Sequence, residues 1–186
     1  MPFGSLWLPV IVSAIAVWIA SAIAWMVLPH HKNDYQPLPS EDAVGEAMRK
    51  MRLAPGLYVI PHCGDRKQMN SPEMVKRYTD GPVAAITVLP NGPPAMGKSL
   101  VLYLGYCLLV SFSTAYVARH TMSYGTDGML VLRMTSTVAF LAYGMSKFAD
   151  AIWAGAPWGN TIRSVLDAVA YGFLTGLIFM LLWPAA

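Results

Sequence analysis

Two pairs of neighbouring residues offer nitrogen and sulfur donors: His30 with His31, and His62 with Cys63. Imidazole and thiolate together suit zinc or copper(I), and Met48, Met51, Met69 and Met74 add soft thioethers in the same region. The spacing matches no compact metal finger: there is no CxxC and no HxxxH. Adjacent histidines are also an awkward pair for one ion. A plainer reading puts the histidine pair at a membrane interface and Cys63 in a turn. The candidate metal ligands are therefore His30, His31, His62 and Cys63, with copper or zinc as the ion and no other cofactor.

A second set of chemically capable residues is charged. Asp150 follows Lys147 by three positions and Asp167 follows Arg163 by four, so each acid has a basic neighbour on its own helix face. Charges within a membrane span cost about 2.5–3.5 kcal/mol on insertion scales and call for a reason. An intramembrane charge cluster of Lys147, Asp150, Arg163 and Asp167, pinning one hairpin at the interface, is the simpler reading. A cation or proton entry site is the functional one.

Gly92-Pro93-Pro94-Ala95-Met96-Gly97-Lys98-Ser99 matches the phosphate-loop pattern letter for letter. That loop works by pointing successive backbone N–H groups at phosphate, and Pro93 and Pro94 have none. The helix it would open is a membrane span. No nucleotide is expected, and a net charge of +3 without a basic stripe argues against nucleic acid. No GxSxG, HExxH or glycine-rich dinucleotide turn is present, so the expectation is a protein that is not an enzyme. No histidine lies inside a span, which disfavours haem. Cys63 and Cys107 sit in different settings and form no disulfide framework.

These residues are positioned by a mostly apolar chain. Of 186 residues, 55% are hydrophobic and 12% charged, against about 25% charged in a soluble domain. Residues 6–28 form a first transmembrane helix, since about 20 apolar residues cross a bilayer core. Met1–Ser5 carries no Lys or Arg and the apolar run is too long for a signal peptide, so the helix is expected to be retained. Ala16, Ala20 and Ala24 give it a small-residue face for another helix. Residues 99–118, 128–146 and 163–183 are the other spans, and Ala168, Gly172 and Gly176 form a packing face on the last. Residues 147–160 are read as an interfacial turn.

Residues 29–98 are polar and rich in proline and glycine. Glu41–Arg52 is predicted as an amphipathic helix behind Ser40, and Leu57–Ile60 as a strand. Ser71-Pro72-Glu73 starts a second helix that Gly81 stops, and Val83–Leu89 is a second strand. The fold class is thus an all-α membrane protein: four transmembrane helices with a small α/β extramembrane domain inserted between helices 1 and 2. The domain is too small to bury much core alone. Lys32, Lys98, Lys147 and Arg163 lie on its side of the membrane, so the positive-inside rule places it in the cytoplasm.

Several stretches together resemble small bacterial four-helix integral membrane proteins of uncharacterised function. These are Leu28-Pro29-His30-His31-Lys32, Pro61-His62-Cys63, Gly97-Lys98-Ser99, Ala139-Phe140-Leu141-Ala142-Tyr143-Gly144 and Leu182-Trp183-Pro184. The resemblance implies a multi-pass protein of the inner membrane and transfers no activity. The first functional expectation is an accessory or scaffold subunit of a larger bacterial membrane assembly, with the lipid bilayer and other membrane subunits as partners. The alternatives are a metal-handling protein using the His/Cys cluster, and a small transporter.

Overall fold

The computed structural model describes residues 3–185, which leaves Met1 and Pro2 of the Met1–Ser5 segment outside the described residues. The chain divides into two units: Met1–Tyr35 with Ala95–Ala186, and Gln36–Pro94. The first unit is helical. It contains α1 (Trp7–Met26), then, past the inserted unit, α4 (Met96–Thr121), α5 (Gly128–Gly144), α6 (Ser146–Ala154) and α7 (Trp158–Leu181). Four stretches are long and apolar enough to cross a membrane: Gly4–Met26, Met96–Thr121, Gly128–Ala154 and Trp158–Leu181. The protein is an integral, multi-pass membrane protein.

Two boundaries differ from those read in the sequence. The second span starts at Met96 rather than Ser99, so Gly97-Lys98-Ser99 lies inside its first turn. Residues 147–160 are largely helical: α6 follows α5 after a single break at Met145, and α7 starts at Trp158 behind Pro157. Proline is suited to a helix start because its fixed φ is already helical and its missing N–H is not needed there.

The small-residue faces set the helix spacing. Gly172 and Gly176 of α7 lie against α5. A Cβ on Gly172 would stand 2.9 Å from the Ser136 carbonyl and 3.0 Å from the Phe140 Cβ. A Cβ on Gly176 would stand 2.8 Å from the Leu132 carbonyl and collide with the Ser136 hydroxyl. Ala168 completes the face, where a Cβ on Gly144 would come within 2.8 Å of its own Cβ. The α1 face is rotated from the one expected. Pro9, Val10, Ser13, Ala14, Val17, Ser21 and Ala24 are its buried residues, while Ala16 and Ala20 are half-buried at its flank. The serines explain the rotation: Ser13 Oγ bonds the Pro9 carbonyl at 2.6 Å and meets Ser111 Oγ of α4 at 3.0 Å. In lipid such hydroxyls are turned inward, away from hydrocarbon.

The Gln36–Pro94 unit contains α2 (Glu41–Met51), β1 (Gly56–Ile60), α3 (Pro72–Asp80) and β2 (Ala84–Val88). The strands pair antiparallel, with Tyr58 opposite Ile86. Ser71 caps α3, its Oγ accepting the Met74 N–H at 3.3 Å, and Gly81 ends it at φ 64°, which glycine adopts without strain. Arg52 ends α2 in the left-handed region. Pro61 and Met74 are the buried residues of this unit.

Overpacking the α5–α7 contact tests this arrangement. Gly176→Ala is expected to cost about 1–3 kcal/mol and to lower the melting temperature in detergent. Ser136→Ala should restore only part, because the Leu132 carbonyl still stands in the way. A Gly176→Ala protein that melts like the parent would mean the two helices lie further apart.

Candidate metal centre

Pro29 ends α1 and opens a single 3₁₀ turn, Pro29–His31. Residues three apart eclipse in such a turn. It continues locally, with Lys32 N–H bonding the Pro29 carbonyl at 3.1 Å and Asp34 N–H bonding the His31 carbonyl at 3.0 Å. The His31 and Asp34 side chains therefore meet, Nδ1 to Oδ2, at 2.6 Å. On α7, Asn160, Arg163 and Asp167 are spaced three and four apart and share the face turned toward this turn.

The contacts form a chain of alternating charge. Arg163 donates to Asp34 through Nε at 2.9 Å and through Nη2. Arg163 Nη2 also donates to the Asn160 side-chain oxygen at 2.7 Å, and Asn160 Nδ2 donates to the Asp34 carbonyl at 2.9 Å. Beyond Asp34, His31 Nε2 reaches Asp167 Oδ2 at 2.7 Å, and His30 Nε2 reaches Asp167 Oδ1 at 3.0 Å. Trp25 stacks flat on His31 at 3.8 Å, which fixes the ring plane. The side chains of His31 and Asp34 are 3% and 5% exposed, so both ions depend on each other rather than on water.

Charge and burial oppose each other at both groups. Burial alone would lower the His31 pKa, but hydrogen bonds to Asp167 and Asp34, with their negative charges, outweigh it and hold it above the usual imidazole value. Burial would raise Asp34, but hydrogen bonds from His31 and Arg163, with their positive charges, hold its carboxyl below the usual range. Ionised carboxylates only accept hydrogen bonds. Each ring nitrogen of His31 thus faces a carboxylate oxygen, Asp34 at Nδ1 and Asp167 at Nε2.

The donor atoms of His30, His31 and Asp167 lie within 4.8 Å of one another. Around a tetrahedral zinc with bonds of about 2.0–2.1 Å, neighbouring donors sit about 3.3 Å apart. The 2.7 Å and 3.0 Å contacts would have to open toward that spacing to admit an ion. Asp34 on His31 Nδ1 would then be the outer carboxylate that commonly orients a metal-bound histidine. The residues fit an ion.

The sequence pointed to part of this set. His30 and His31 do converge, each on one oxygen of the same carboxylate, with rings tilted by 44° so that adjacency is no obstacle. His62 and Cys63 belong to the Gln36–Pro94 unit, where Cys63 Sγ donates to the Asp65 carbonyl at 3.0 Å and both line a cleft of about 100 Å³ with Ser71 and Met74. Of the four charges grouped by sequence, Lys147 and Asp150 pair at 3.6 Å on an exposed surface. Arg163 pairs with Asp34 rather than Asp167, whose oxygens face the histidines. Asp34 was not singled out, although His31 and Asp34 stand three apart just after a proline.

No family model matches this chain, and no curated protein or solved structure is similar to it.

Removing Asp34 should open the whole chain. Asp34→Ala leaves Arg163 without its carboxylate and His31 with one partner. Breaking a buried pair from one side costs about 3–5 kcal/mol, so detergent melting should fall sharply, whereas Asp150→Ala at the exposed pair should leave it nearly unchanged. Equal effects would mean Asp34 is solvated.

Proposed function

We propose that this is a metal-handling membrane protein that binds one divalent cation of the zinc class through His30, His31 and Asp167. The observation that carries the reading is three donor atoms within 4.8 Å of one another, with Asp34 already placed behind His31. Two imidazoles and a carboxylate are a borderline-to-hard set, which favours zinc and its first-row neighbours over copper(I). Three protein donors leave a coordination position for water or for an incoming group. This is more specific than a scaffold role, which does not call for two histidines on one half-buried carboxylate. Lys32, Lys98, Lys147 and Arg163 favour a cytoplasmic orientation for this end of the bundle.

The ion would replace the proton on His31 Nε2 and draw His30 and Asp167 onto itself. Asp34 would keep the Nδ1–H and hold the ring, and Arg163 and Asn160 would hold Asp34. Asp167 supplies negative charge on the α7 face that also carries Asn160 and Arg163.

Zinc titration of the purified protein, stripped with chelator and followed by calorimetry, is the test. One equivalent should bind. His30→Ala with Asp167→Asn should abolish binding, and Asp34→Asn should weaken it by about 10–100-fold as the loss of an outer carboxylate does. His62→Ala with Cys63→Ser should leave it intact. Undiminished binding in the His30/Asp167 variant would overturn the assignment.

A further inference from the structure

Below the candidate metal centre the core of the helical unit is apolar, with Val17, Val110, Ala139 and Ala168 in one cluster, but it holds a series of buried hydroxyls along the bundle. Tyr171 follows Asp167 by one helical turn, about 6 Å further along α7. Its ring meets Tyr143 of α5 edge-on at 5.9 Å, and Tyr143 meets Tyr106 of α4 edge-on at 5.7 Å. Tyr143 and Tyr171 are each only 7% exposed, and they share a cluster with Cys107, which is fully buried. Neither hydroxyl has a nitrogen or oxygen partner, and Tyr143 has only the weakly polar Cys107 thiol beside it. In a bilayer interior an unpartnered buried hydroxyl is expensive, and a water or an ion is the usual explanation.

Past this layer the lining changes to smaller hydroxyls. Ser13, Ser111, Thr114, Thr135 and Thr175 are all buried. Most bond a carbonyl one turn back on their own helix, as Thr114 does to Val110 and Thr175 to Tyr171, which leaves lone pairs free. Beyond them the bundle closes with apolar side chains: Leu6, Val10, Ala118, Met122, Val131 and Phe179 form one cluster, and Leu6, Val131 and Phe179 are fully buried. From one end to the other the order is cation donors, phenols, small hydroxyls and an apolar seal.

We propose that the cation held by His30, His31 and Asp167 is cargo rather than a resident cofactor, and that Tyr171 and Tyr143 line the hydrated path it takes into the bundle. The inference rests on the metal-binding reading above. The carboxylate strips part of the ion's hydration, the phenol hydroxyls and their waters replace it, and the Leu6–Val131–Phe179 cluster is the barrier that must part for the ion to leave at the far end. No covalent or redox step is involved. From the carboxylate to the small hydroxyls the ion keeps oxygen ligands, as an ion in low-dielectric surroundings must.

The test uses the full-length protein in sealed vesicles that contain a zinc-sensitive dye, with the membrane potential clamped and zinc added outside. A calorimetric zinc titration of the same preparations runs in parallel. The parent protein should bind zinc and fill the vesicles faster than protein-free vesicles fill. The double variant Tyr143→Phe, Tyr171→Phe should bind zinc as tightly as the parent but lose the influx. Its melting temperature should not rise, because hydroxyls that hold water gain nothing by removal. Binding without influx in the parent overturns the path and leaves the metal site standing. No binding at all overturns the site as well. Influx in the double variant as fast as in the parent, or a raised melting temperature that marks the hydroxyls as dry, overturns the role of the two tyrosines.

Discussion

A carboxylate buried at the edge of a bilayer needs positive charge beside it, and Asp34 obtains it from two directions. Arg163 approaches from α7 and His31 from the same turn of chain. His31 in turn is held on its other nitrogen by Asp167, again from α7. The chain end after α1 is thereby clasped to α7 at two points one turn apart. Each charge is neutralised by its neighbours, so a group that would be destabilising alone becomes an attachment. Removing one member exposes the next, which is why the clasp acts as a unit.

α7 can serve as the fixed wall of this clasp because its position is set elsewhere. Ala168, Gly172 and Gly176 let the α5 backbone come so close that a methyl group would collide with it. Small residues give this closeness where no hydrophobic effect drives helices together in lipid. Asp167 immediately precedes Ala168, so the residue that anchors packing and the residue that binds the histidines are adjacent on one rigid helix. A site on such an element is held more tightly than one on loops.

The spans, the amphipathic helix at Glu41–Met51, the capped start of α3 at Ser71 and both strands were legible from periodicity and cap chemistry. The helix-packing glycines were legible too, because small residues one turn apart have one common use in a membrane. What the sequence obscured was partnership between helices. Arg163 and Asp167 look like an ion pair because they are four apart, yet a helix face can point both residues at a different chain segment. His31 and Asp34 take their place there through a proline-started 3₁₀ turn, which hydropathy cannot reveal. The usable signal was the run Asn160, Arg163, Asp167: three polar residues on one face of an apolar helix require polar partners from outside it. Ala16 and Ala20 show the same limit, since size alone could not say that Ser13 and Ser21 would win the buried face of α1.

The clasp and the candidate ion site use the same atoms, and that ties their energetics together. While His31 carries both protons, the histidines and Asp167 satisfy one another. An ion entering between them exchanges a proton on Nε2 for itself and leaves the Asp34 side untouched, so the attachment of the α1 end to α7 survives loading. A site built from groups that are already mutually paired needs little rearrangement to fill. It is also not left as bare negative charge when empty. The cost is competition: an ion must displace the proton between His31 Nε2 and Asp167. That favours a site that fills and empties with local conditions over one that traps its ion.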